Sequence, residues 1–201
     1  MTSNCRPFAR FTIYLLMVFL MLLPAGAGAE DALKGFNLQT LNLVMQCRDD
    51  VAKRFELLLK SGQLTVGQLF DTFYIPIPDT YPQKFHTQYD ALLDKNIQGI
   101  LDSYLKMSSR FAFFVATDRN GYLPTHNSKF SQPMTGNKEE DSKKNRTKVI
   151  FNDRTGLAAA RNKAPYLLQP YSRDTGEIMY DLSVPLYVRN QHWGCVRVGF
   201  K

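Results

Sequence analysis

The sequence predicts an α+β protein: long N-terminal helices leading into a five-stranded antiparallel sheet, with a loop and short helix inserted after the second strand. Three observations carry that expectation. Apolar residues recur at three- and four-residue steps from Phe36 to Lys60, the spacing of an amphipathic helix. An apolar run from Phe111 to Asp118 is followed by Asn120-Gly121, which reads as a central strand and a tight hairpin turn. From Ile178 to Val188, apolar residues alternate strictly with a more mixed set, the period of a strand.

The chain has 201 residues, enough for one domain with its own core. Its first 29 residues have the three-part form of a secretory signal peptide: Arg6 and Arg10, an apolar run from Phe11 to Leu23, then Pro24 and small residues to Ala29. Cleavage is expected after Ala29, which makes the mature protein periplasmic or secreted. An uncleaved membrane anchor is the alternative, although spanning a bilayer takes about 20 apolar residues. Removing Arg6 and Arg10 from the formal charge of +7 leaves +5, spread over both halves of the chain. The one dense charge run, Lys138 to Lys148, mixes both signs, so no nucleic-acid partner is expected. Cys47 and Cys195 remain after cleavage; no spacing rule pairs them, and two buried thiols are expected rather than a disulfide.

Residues 30–82 read as an N-terminal helix and a proline-rich connector, and 83–201 as the main domain. The first helix carries Leu38, Leu41, Val44, Met45, Val51, Phe55, Leu58 and Leu59 on its apolar side, and Ser61-Gly62 ends it. A short helical turn is expected over Val66 to Phe73. Tyr74 to Pro82 must then run extended, because a proline disfavours helix in the residue before it. A second helix is expected from about Gln83 to Met107, with Gly99 as its weak point. Tyr122 to His126 is expected to return beside the first strand. Ser128 to Arg146 offers few residues to a core and reads as a mobile excursion. Thr147 to Phe151 is expected to be briefly extended. Asp153 to Asn162 reads as a short helix with Asp153 as its cap. Three strands close the chain: Tyr166 to Tyr171, Ile178 to Val188 after a turn at Asp174-Thr175-Gly176, and Trp193 to Phe200. Pro185 lacks a ladder donor, so an irregularity is expected there.

Five stretches in order carry a family resemblance: Tyr74 to Thr80 (YIPIPDT), Asp118 to Asn127 (DRNGYLPTHN), Ile150 to Gly156 (IFNDRTG), Tyr166 to Asp174 (YLLQPYSRD) and His192 to Val198 (HWGCVRV). Together they resemble the sensor regions of bacterial methyl-accepting chemotaxis proteins, which have the extracytoplasmic Cache or PAS-like fold. The resemblance spans about Leu64 to Phe200. It implies ligand binding between the concave sheet face and the loop-helix insertion, with signalling as the purpose. Such receptors continue into a membrane helix, a HAMP linker and a cytoplasmic coiled coil. This sequence stops at Lys201, so the expectation is a sensor module acting through a separate partner, a membrane receptor or kinase, or through a second copy paired along the N-terminal helix. Some relatives carry haem on a CxxCH motif that is absent here; no cofactor is expected, with noncovalent haem on His126 as the alternative.

Arg154 and Arg161 lie seven residues apart, two turns along one side of the short helix, where paired N–H donors suit a carboxylate. Tyr122, Tyr166, Tyr171 and Tyr180 combine an apolar ring with a polar tip and are candidates to line the cavity. His126, beside Asn127 at the mouth of the insertion, is a candidate for ligand contact, pH response or metal binding. Against these stand ordinary structural roles for each. Three scattered histidines have no metal-ligand spacing. GxSxG, HExxH and phosphate-binding glycine motifs are absent, so no enzymatic activity is expected. The competing reading is a ligand-free PAS-like interaction module, its core filled by Phe113, Tyr122, Tyr180 and Trp193.

Overall fold

The computed structural model describes residues 1, 33–172 and 177–201; the signal segment and the turn at Asp174-Thr175-Gly176 lie outside the described residues. Leu33–Lys201 forms one compact unit, and it is α+β. Among the described residues no helix is long and apolar enough to cross a membrane.

Helix α1 (Gly35–Lys60) buries Thr40, Val44, Cys47, Val51, Phe55 and Leu58, a stripe at three- and four-residue spacing. It stops where Ser61 Oγ donates to the Leu58 carbonyl and Gly62 takes a positive φ of 72°. Helix α2 (Val66–Leu69) is shorter than its sequence suggested; a capping box between Thr65 and Gln68 starts it, and Phe70 caps it. The proline connector is not a bare linker. Strand β1 (Ile75–Ile77) pairs antiparallel with β2 (Lys84–His86), Ile75 facing His86.

That pairing corrects the second helix. Helix α3 spans Asp90–Leu105 rather than starting near Gln83, because Lys84 to His86 is drawn into a strand. Phe85 N–H donates to the Lys148 carbonyl, and the buried Lys84 ammonium donates to Asn145 and to the Thr147 carbonyl. Long-range partners outweigh the local helical pattern.

The main sheet holds four strands, in the order β3 (Phe111–Asp118), β8 (Gln191–Phe200), β7 (Ile178–Val188) and β6 (Leu167–Ser172), all neighbours antiparallel. The expected fifth strand, β4 (Tyr122–Leu123), leaves β3 and pairs instead with β5 (Val149–Ile150). The reason is the turn. Gly121 N–H closes it on the Asp118 carbonyl at 2.9 Å, with positive φ at Gly121 but not at Asn120, so it lacks the two left-handed residues that send a hairpin straight back. Asp118 Oδ1 then takes the N–H groups of Asn120 and Tyr122 and turns the chain aside. The left-handed pair sits at Arg189 and Asn190, φ 50° and 61°, between β7 and β8.

Helices α1 and α3 pack on one sheet face and α5 (Arg154–Arg161) on the other. Leu182, Val184, Leu186, Val196, Val198, Phe200 and Phe114 meet Val44, Val51, Phe55, Leu93, Ile97 and Leu101 in the core. Trp193 anchors its end: its indole N–H donates to the Leu69 carbonyl, and its ring meets Phe55 edge-on at 5.1 Å. The alternation in β7 is only half right. Ile178 and Tyr180, expected inside, are 65% and 39% exposed, while Met179, Asp181, Ser183 and Pro185 on the other face are buried. The β7 register shifts between Leu186 and Tyr187, one residue beyond Pro185.

The stretch from Ser128 to Arg146 is folded. It has a 3₁₀ turn at Ser128–Phe130 and helix α4 (Lys138–Lys144) with Asn137 as cap. Asp141, buried, accepts from Thr135 and Gly136, and Asn145 holds Lys84. Hydrogen bonds rather than apolar burial fix this segment, which is why an apolar count missed it.

Candidate functional site

Two of the places where the described residues bring chemistry-bearing side chains together bear on ligand binding. The first is the sheet face under α5. On it, Arg197 in β8 donates to Asp181 Oδ2 in β7 from Nε at 2.9 Å and Nη2 at 2.6 Å. Both residues are buried. Burial pushes the Asp181 carboxyl above its ordinary value, and the adjoining guanidinium pulls it back. Ser183 faces Arg197 across the ladder. Asp181 Oδ1 and Ser183 Oγ are buried and make no hydrogen bond within the protein. The Arg197 guanidinium also lies 5.8 Å from the Phe113 ring centre, and Phe113 fills the space over Gly199. This layer holds a fixed cation and two uncommitted acceptors in an enclosed setting, where polar contacts are strong and unmet ones costly.

The second is an open cleft of about 560 Å³ at the end of the sheet. Arg119 and Asn120 come from the turn after β3, Arg161 and Lys163 from the end of α5, and Gln191 and His192 from the start of β8, with Phe70 as an apolar wall. Among the described residues no carboxylate lines it.

The six candidate residues do not converge. Arg154 and Arg161 are both exposed, and seven residues of helix put them about 10 Å apart along α5; Arg161 lines the cleft and Arg154 does not. Tyr122 is fully buried on the α3 side, where its hydroxyl donates to the Phe85 carbonyl at 2.8 Å and its ring meets Tyr89 and Tyr74. Tyr166 packs half-buried against the same core. Tyr180 is stacked on Phe200 at 5.7 Å. Tyr171, on β6, donates to Met179 Sδ.

His126 is buried, between the rings of Phe113 and Phe130, and its Nδ1 accepts the Asn127 N–H at 2.7 Å. Burial, with Arg146, Lys129, Arg197 and Lys84 around it, holds its pKa down to about 3. The imidazole is therefore neutral at physiological pH and does not switch there, which corrects the expectation of a pH response. Among the described residues no three His, Cys, Asp or Glu side chains group as metal ligands. Cys47 and Cys195 are free and buried, on α1 and β8.

Sequence reasoning passed over Asp181, Ser183, Arg197, Arg119 and Lys163. A signal existed for the first three: an arginine between Val196 and Val198, and an aspartate and serine inside the β7 run, are polar residues in strands otherwise built for burial. Arg119 and Lys163 sit in turns, where a charge has no distinguishing local context.

No family model and no curated protein matches the chain. In structure it is similar to the extracellular ligand binding receptor from Desulfohalobium retbaense DSM5692, with 15% identity and a TM-score of 0.36, over 81% of this chain and 25% of that one. The chain thus spans about a quarter of that receptor's length, and no function passes from one to the other.

Proposed function

We propose that the protein is an exported, non-enzymatic sensor module that binds a small polar molecule between the sheet and α5 and signals through a separate partner, a membrane receptor or kinase. The observation that carries this reading is the buried Arg197–Asp181 pair with Asp181 Oδ1 and Ser183 Oγ left without protein partners. A polar ligand there would satisfy both atoms and gain a charge-assisted contact. The signal-like N-terminus supports export, and the ordered motif series supports a Cache/PAS-like variant whose strand after β3 is cut to two residues. Sheet and α1 are joined by Phe55 against Trp193 and by Arg189 donating to Glu56, so a shift in β7 or β8 would bear on α1. The test is a thermal-shift screen of the purified protein against organic acids, amino acids, metals and haem, followed by Ser183→Ala. A saturable rise in melting temperature that the variant abolishes supports the reading. A flat screen, or a rise the variant leaves intact, sinks it.

A ligand-free interaction module is the second reading, favoured by the exposed Leu38, Met45 and Leu57 on α1. Light scattering at high concentration decides it: a monomer removes the proposed homodimer. Noncovalent haem on His126 is the weaker alternative, since the ring is enclosed; it requires a Soret band after exposure to haem.

A further inference from the structure

We propose that the cleft at the end of the sheet is a binding site for a small multivalent anion, a di- or tricarboxylate or a phosphate. Arg119 reaches it from the turn after β3, and Arg161 and Lys163 from the end of α5, two parts of the chain that the fold brings around one concavity. Several cations elsewhere on the molecule have found carboxylates: Lys143 with Glu139, Lys144 with Glu140, Lys148 with Asp94, Arg189 with Glu56. Among the described residues the three cleft cations form no ion pair. Like charges gathered around one hollow repel, and an anion with two or more charges relieves that repulsion while each guanidinium offers paired N–H donors.

The neutral lining suits the same ligand. His192 Nε2 is buried without a hydrogen-bond partner, and burial with Lys163 nearby lowers the pKa of this imidazole, so it brings a polar edge rather than a fourth charge. Asn120 Nδ2 donates to the Tyr74 hydroxyl, which fixes one side of the turn. The Gln191 amide lies at the rim, and Phe70 gives an apolar wall for a carbon skeleton. A volume of about 560 Å³ is within the range of small-molecule sites. The cleft is separate from the sheet face under α5 and stands even if no ligand binds there.

The experiment is isothermal titration of protein purified from cells expressing the full sequence, with citrate and inorganic phosphate as test anions. Arg161→Gln and Lys163→Gln are compared with Arg154→Gln, which removes an exposed arginine from the same helix outside the cleft; all three positions are exposed, and far-ultraviolet dichroism checks the fold. The expected result is saturable binding of at least one anion, weakened about tenfold or more by each cleft variant and by raised salt, and unchanged by Arg154→Gln. Which anion binds distinguishes carboxylate from phosphate. Absence of saturable binding to both anions, or equal loss in Arg154→Gln and the cleft variants, overturns the site.

Discussion

Arg197 reaches diagonally across the ladder to Asp181: it lies opposite Ser183 in register, yet its Nη2 is 2.6 Å from the Asp181 carboxylate, with both residues buried. Removing one member of such a pair strands the other charge. Arg197→Met is expected to lower stability by about 3–5 kcal/mol, and adding Asp181→Leu to recover most of the loss. Urea unfolding of the two variants checks this, and a cost below about 1 kcal/mol for the single change would mean that water reaches the carboxylate.

His126 gives a pH prediction with a definite sign. Its pKa is about 3 in the folded chain against an ordinary 6.5. Between those values the unfolded chain takes up a proton that the folded chain refuses. The contribution of this residue therefore falls as pH drops below 6.5, by about 1.4 kcal/mol per pH unit, and is constant above it. Melting curves from pH 7 to pH 4 should be flatter for His126→Gln than for the parent; parallel curves would contradict a neutral buried imidazole.

Two glycines should respond oppositely to alanine. A Cβ at Gly194 collides with the Thr117 carbonyl oxygen and comes within 2.6 Å of the Asp118 backbone, so Gly194→Ala is expected to cost at least about 2 kcal/mol. Gly99, exposed in α3, has nothing within 4 Å of that position. There alanine is expected to add about 0.5–1 kcal/mol by reducing the freedom of the unfolded chain and favouring helix. Paired thermal melts decide both, and a destabilised Gly99→Ala would show a contact on that face.

Neither thiol should react with a disulfide reagent until the protein unfolds. Burial raises both pKa values, that of Cys195 to about 11 and that of Cys47 further, with Asp50 adding to the shift at Cys47. Thiolate is scarce and access is closed. Counting reactive thiols in native buffer and in urea tests this; one fast thiol in native buffer would locate a local opening.

Elements set by local pattern could be read directly from the sequence. Most of the apolar stripe of α1, the Asp153 cap of α5 and the length of β7 follow from spacing and capping chemistry among near neighbours, although Leu38 and Met45, expected on that stripe, are exposed. What could not be read depends on distant partners. The β1–β2 pair takes residues from a helical pattern, Asp118 turns β4 out of the sheet, and Asp141 with Asn145 orders a polar segment. The candidate sites share that difficulty. Arg161 could be placed on a helix, but the cleft it lines requires three other parts of the fold, and the Arg197–Asp181 pair depends on strand register.

The departure of β4 leaves β3 at one border of the sheet and β6 at the other. Each border is blunted. Asn127 Oδ1 takes the Phe114 N–H, which a neighbouring strand would otherwise claim, and Pro170 in β6 has no N–H to offer. A chain so finished resists being lengthened by a strand from another molecule, which guards it against runaway edge-to-edge assembly at high local concentration.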